Sequence, residues 1–311
     1  MTALTAPRTR SGWLPVPAQA GVLPTWARWA LVVNLVAEVL IVVTGGLVRL
    51  TGSGLGCPTW PQCVPGSFTP VPHQEQGIHK LIEFGNRTLT SVVGIAAVLV
   101  IVAVWRWAPQ RRGLRVLSFF PLLGVFAQAL LGGITVLTHL NPATVASHFL
   151  LSSMIVLVSA LLVHRAGEGD ARPTPLVRSE VSLLARVTAG MGAVVLALGT
   201  VVTGSGPHSG DVVHPTRFGF DPRSVSWLHA DAVMLFLGLV VAVLLAVRLS
   251  TDEERPRRAW LVVLLVTFAQ GLVGYTQYFT GLPEALVAVH MLGACLLVIA
   301  LTSGVLSLRR R

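Results

Sequence analysis

The sequence predicts an all-α integral membrane protein, with eight transmembrane helices arranged as two parallel-repeat four-helix bundles. Three features predict it. Only 12% of the 311 residues are charged and 53% are hydrophobic, with a mean hydropathy of +0.73, whereas a soluble domain is roughly 25% charged. Eight long apolar runs follow one another along the chain. A 23-residue block near the end of the first half recurs near the end of the second.

The runs cover 28–50, 79–105, 114–137, 143–164, 184–203, 227–248, 259–279 and 285–306. Each is close to the ~20 residues that cross a hydrocarbon core as helix, and without water only helices or closed barrels satisfy the backbone. The formal charge of +10 does not mark a nucleic-acid binder, because its placement is topological. Arginines crowd the segments before the first run, between the second and third, after the fourth, after the sixth and at the end. Alternate loops are thus basic, which predicts cytoplasmic termini. The expected organisation is a cytoplasmic tail over 1–27, an N-terminal four-helix half over 28–164, a basic linker over 165–183 and a C-terminal half over 184–311. The tail lacks the pattern of a cleaved export signal.

Aligning "FAQALLGGITVLTHLNPATVASH" (126–148) with "FAQGLVGYTQYFTGLPEALVAVH" (268–290) needs no gap, and 11 of the 23 positions agree. "TGSG" at 51–54 recurs at 203–206. Helices 1–4 and 5–8 therefore read as parallel repeats, as in other duplicated membrane proteins. The repeat pairs His148 with His290. The other histidine of the second half, His229, precedes His290 by 61 residues; the matching place before His148 is held by Asn86. One ligand-type position in four is broken.

Imidazole in a bilayer costs free energy and usually marks a path or a cofactor. Two imidazoles from neighbouring helices suit the axial positions of haem iron, while zinc wants further N, S or O donors and only Asp231 lies near His229. A b-type haem ligated by His229 and His290 is the economical expectation. Arg49, Lys80, Arg87, Arg217 and Arg223 lie on the outer side, against the topological trend. Haem propionates would account for them; an i,i+4 pair with Glu83 is the simpler account of Arg87. Cys57 and Cys63 share the first outer loop. Free thiols, a metal site and a disulfide are all open to them, and the oxidising side favours the disulfide. Cys295 reads as a small core residue. Gln128 and Gln270 read as interhelical hydrogen-bonding groups.

The motifs "TGGLVRLTGSGLGCPTWPQC" (44–63), "IEFGNR" (82–87), "NPATVASH" (141–148), "LHADAV" (228–233) and "VHMLGA" (289–294) together resemble the haem A synthase family over nearly all eight helices. The resemblance implies an enzyme of a bacterial-type cell membrane that oxidises a ring methyl of haem O to the formyl of haem A. It implies haem b on His229 and His290, and a substrate half with Glu83 as catalytic carboxylate and His148 beside the porphyrin. It matches the paired cysteines to Cys57 and Cys63. Its expected partners are haem O synthase, cytochrome oxidase assembly and a quinone or other electron acceptor. The family pattern has histidine three residues after the glutamate, where this chain has Asn86. Asn86 is then expected to leave an iron position open, with His79, Arg87 and Arg49 around the mouth of the substrate site. The rival reading is a non-catalytic cytochrome b electron carrier, which predicts a matched histidine pair in the first half and gives Glu83 no task. A duplicated transporter would place its polar groups at broken mid-span helices, whereas here they gather outward.

Overall fold

The computed structural model describes residues 23–169, 171–211 and 213–311; most of the expected tail, 1–22, lies outside them. Nine α-helices form among the described residues: α1 (Thr25–Leu50), α2 (His79–Trp107), α3 (Arg112–Leu117), α4 (Phe120–Leu137), α5 (Pro142–Ala166), α6 (Ser179–Ser205), α7 (Pro222–Ser250), α8 (Glu254–Phe279) and α9 (Glu284–Ser307). Eight spans are long and apolar enough to cross a membrane, with α3 and α4 together making the third. The protein is a multi-pass membrane protein.

The third span differs from the continuous helix expected over 114–137. It breaks at Ser118 and Phe119 because Pro121, at the start of α4, has no N–H to donate to the preceding turn and its ring crowds a carbonyl there. The other helices outrun their apolar cores. Helix α7 begins at Pro222, not 227: Asp221 caps it by accepting from the Ser224 amide at 2.8 Å, and Pro222 has the φ of a first helical residue. Apolar runs mark the part of a helix that needs lipid, and the polar first turn extends past it. The linker is likewise shorter than 165–183, since α5 continues to Ala166 and α6 starts at Ser179. Within it β1 (Thr174–Pro175) pairs antiparallel with β2 (Arg309–Arg310), tying the linker to the chain's end.

Helix packing defines two rings. In the first, α1 packs on α2, α2 on α4, α4 on α5, and α5 back on α1; in the second the order is α6, α7, α8, α9 and back to α6. The rings meet through α1, α5, α6 and α9. The second ring is filled by Phe236, Val240, Val243, Val247, Trp260 and Val263, all nearly inaccessible. The end of the first that carries the start of α1 and the end of α2 is plugged by Leu31, Val100, Val104, Leu114 and Leu162. Val39, Val42, Val156, Cys295 and Val298 pack along the seam, so Cys295 is the buried small residue expected.

At the same seam the flexible Sδ–Cε end of Met291 lies over Gly46, whereas Gly56 lies against the backbone of His79 and Lys80, which cannot swing aside for an added side chain. Overpacking of the second kind costs about 1–3 kcal/mol. Gly56→Val should therefore lower the thermal unfolding midpoint in detergent, measured by circular dichroism. Gly85→Ala, in a helix and with open space at its Cβ, should leave the midpoint unchanged or raise it.

Candidate functional site

Four side chains occupy matching depths in the two rings. Asn86 lies seven residues past the start of α2 at His79, and His229 seven past the start of α7 at Pro222; His148 lies six past Pro142 in α5, and His290 six past Glu284 in α9. In the packing order of each ring, α2 stands across from α5 and α7 across from α9. Each ring thus carries a pair of these positions on opposite walls. His229 is two turns inside its helix rather than at its opening, which brings it level with His290.

Glycine on the adjacent helix backs every one of the four. A methyl group added at Gly132 of α4 would sit 3.2 Å from His148 Cε1, at Gly199 of α6 3.4 Å from His229 Cε1, and at Gly274 of α8 3.4 Å from His290 Cε1. At Gly45 of α1 it would sit 3.7 Å from Asn86 Nδ2. A missing Cβ lets the ring edge lie against the neighbouring backbone, which a larger residue there would displace. The Nδ1 atoms of His148, His229 and His290 are all buried without a hydrogen-bond partner. Among the described residues no group of three or more His, Cys, Asp or Glu is placed to hold a metal ion. Opposed imidazoles of this kind fit a metal that brings its own equatorial donors, as iron porphyrin does.

The first ring differs at Asn86. Its Oδ1 accepts from the Thr44 hydroxyl at 2.8 Å and its Nδ2 lies on the Gly45 side, so an amide tied to α1 stands where the other three positions carry an imidazole. Across the ring, Gln128 donates to the His148 carbonyl at 2.9 Å and to the Ser152 hydroxyl, bracing α4 on α5 as an interhelical group. Gln270 fills the matching place by packing against Gly293.

Over the outer mouth of the first ring lies the loop from Thr51 to Gly66, closed by a Cys57–Cys63 disulfide whose residues are wholly buried. Trp60 anchors it by lying on Gly133 of α4. From α2, Glu83 and Arg87 hold it electrostatically. Glu83 is buried; its Oε2 accepts from the Cys57 amide at 2.7 Å, and its Oε1 from Arg87 Nη2 at 2.6 Å. Arg87 further donates to the carbonyls of Cys57 at 2.7 Å, Thr59 at 3.0 Å and Gln62 at 3.3 Å. The i,i+4 pair expected from spacing is present, and the guanidinium is committed to this loop. His79 binds the Ser53 hydroxyl through Nδ1 at 2.8 Å, about two helical turns or ~10 Å outward of Asn86. Arg49 donates to the Thr203 carbonyl at 2.8 Å, while its Nε is buried and unpaired. With Arg217, His208 and Asp211 it lines an outer cavity of about 240 Å³.

Residues 27–208 match the model of a family described as cytochrome oxidase assembly protein. The chain belongs to that family. Similar curated relatives include the heme A synthase of Bacillus mycoides (strain KBAB4), 25% identical over 281 residues, covering 85% of this chain and 88% of the relative. The heme A synthase of Bacillus cereus (strain G9842) is 24% identical over 277 residues, with the same coverage.

The structure also shows polar residues in this family member that the sequence reading passed over. Glu38, 4% exposed, and Asn34, 1% exposed, sit at the middle of α1. The signal was in plain view: a carboxylate amid the first apolar run is by itself a functional pointer.

Because the glycines leave room for the ring edges, Gly274→Val should displace His290 and reduce the bound chromophore, read as visible absorbance per purified protein. Gly271→Ala, with open space at its Cβ, should leave that absorbance unchanged.

Proposed function

We propose that the protein is a haem A synthase, which oxidises a ring methyl of haem O to the formyl of haem A for terminal oxidases. One observation carries the reading: four glycine-backed positions on opposed helices, three holding histidine and one asparagine. The second ring would hold haem b between His229 and His290. The first would receive haem O beside His148, with Asn86 leaving an iron position open, which suits a porphyrin that must enter and leave. A plain electron carrier has no use for that inequality.

Bound haem b would supply one-electron transfer, at a potential set by its histidines and their burial. The chain's own groups do the rest. Packing against glycine positions the imidazoles, and the apolar plug of Leu31, Val100, Val104 and Leu162 keeps water out from the cytoplasmic end. The disulfide loop, clamped by Glu83 and Arg87, covers the outer end. Methyl to formyl is a four-electron change, and each C–H broken releases a proton. Glu83, steadied by Arg87 and the Cys57 amide, is the carboxylate we assign to accept one, a role worth about 10²–10⁴ in rate. Arg49, with an unpaired Nε at the outer cavity, suits a propionate, with His79 nearer the mouth. The arginine distribution supports both termini in the cytoplasm of a bacterial-type cell. Haem O synthase is the expected supplier, cytochrome oxidase assembly the consumer, and a quinone or similar carrier the electron acceptor.

Co-expression with a source of haem O, followed by haem extraction and mass analysis, tests the assignment. Haem A should appear with the wild type. Glu83→Gln should retain haem b and lower haem A at least about a hundredfold. Haem b alone from the wild type would instead indicate an electron carrier.

A further inference from the structure

Glu38 takes no part in the chemistry above, yet it is the most exceptional residue in the first ring. It lies seven residues before Gly45 on α1, within about 20° of the same helix face and ~10 Å deeper. Asn34 is one turn deeper again, and its Nδ2 donates to the Ser159 hydroxyl of α5 at 3.1 Å. Ser159 in turn shares a face with His148 and Ser152 on that helix. All three residues of the cluster are buried, at 4%, 1% and 1% exposure. Below them, Leu31 and Leu162 begin the apolar plug, both at most 2% exposed. The cluster is therefore closed toward the cytoplasm and lies beneath the Asn86–His148 level of the ring.

Two acceptors in the cluster, Glu38 Oε1 and Asn34 Oδ1, are buried with no donor. They stand one helical turn apart on one face. No cation pairs with Glu38 among the described residues. The titratable side chains on the helices packed against α1 lie toward the two helix ends or at the level of the histidines: His79, Lys80, Glu83 and Arg87 at one end of α2 and Arg106 at the other, His148 on α5 with His164 and Arg165 at its far end, and Glu284, His290 and Cys295 on α9. A bare carboxylate facing a second bare acceptor in an apolar wall costs several kcal/mol. A carboxylic acid supplies the missing donor, and its O–H can reach Asn34 Oδ1.

We propose that Glu38, supported by Asn34 and Ser159, is a proton-holding carboxylic acid that ionises when a positively charged metalloporphyrin occupies the first ring, and so acts as its counter-charge. The step is –COOH → –COO⁻ + H⁺, with no electron transferred. The proton leaves by the porphyrin cavity, because the plug closes the other route. Ferric porphyrin with neutral axial donors carries one net positive charge at its core, and ferrous porphyrin none. At ~10 Å and an effective dielectric near 20, a unit charge changes the ionisation ratio roughly tenfold. The inference rests on the first ring being a porphyrin site, but it concerns a residue that the methyl chemistry does not require.

Gallium(III) and zinc(II) protoporphyrin test it, being alike in shape, inert to redox and different by one core charge. Protein purified with its second-ring haem in place is loaded with each, and the infrared carbonyl stretch of protonated carboxylic acids is recorded. The unloaded wild type should show such a band, moved by carboxyl-¹³C glutamate and missing in Glu38→Gln. Gallium loading should weaken it roughly tenfold in acid-to-carboxylate ratio, and zinc loading should leave it. Glu38→Asp, which keeps the acid, should retain a displaced band should the glutamine variant fail to fold. An unchanged band on gallium loading, with binding shown by porphyrin fluorescence or absorbance, overturns the role of Glu38 and leaves the porphyrin site standing. Failure of both porphyrins to bind overturns both.

Discussion

The architecture depends on a steric allowance one carbon wide. An imidazole inside a helix ring can aim at the centre only when the next helix gives up the volume its ring edge needs. Glycine at 132, 199 and 274 yields that volume to His148, His229 and His290, and Gly45 yields it to Asn86. Backed in this way, the three imidazoles lie against helix backbone, with each Nδ1 buried, while Asn86 is also tied to Thr44. The helix order places two such positions on opposite walls of each ring, so local sterics and global topology converge on one arrangement.

The first ring departs from the second in three ways. Asn86 replaces an imidazole by an amide tied to Thr44. An outer loop, closed by a disulfide and gripped through Glu83 and Arg87, covers its mouth. A carboxyl at mid-membrane depth lies beneath. The second ring has none of these and is filled by large apolar side chains up to Trp260. A fixed cofactor suits the one, and an exchangeable substrate suits the other.

Much of this was legible in the residues. Apolar runs located every span, because the cost of exposing backbone to lipid leaves little alternative. The gapless match of 126–148 to 268–290 paired His148 with His290 and exposed Asn86 as the odd one out. Three things were hidden, each for a physical reason. The first residues of α7 are polar and lie outside the lipid-requiring stretch, so the apolar run 227–248 places its start five residues late. Glycine backing is a contact between helices, and no spacing within one helix encodes it. The work of Arg87 depends on carbonyls of a loop twenty-five to thirty residues away, which leave no trace in composition. Glu38 was the opposite case, readable and overlooked.

Electron paramagnetic resonance of the purified ferric protein, first with its resident haem and then after haem O is added, addresses the ligand geometry most directly. One low-spin bis-imidazole signal should be present at the outset, and added haem O should contribute a spectrally distinct species that Asn86→His converts to a second bis-imidazole signal. A resident signal that survives replacement of both His229 and His290, or none in the wild type, would contradict the account.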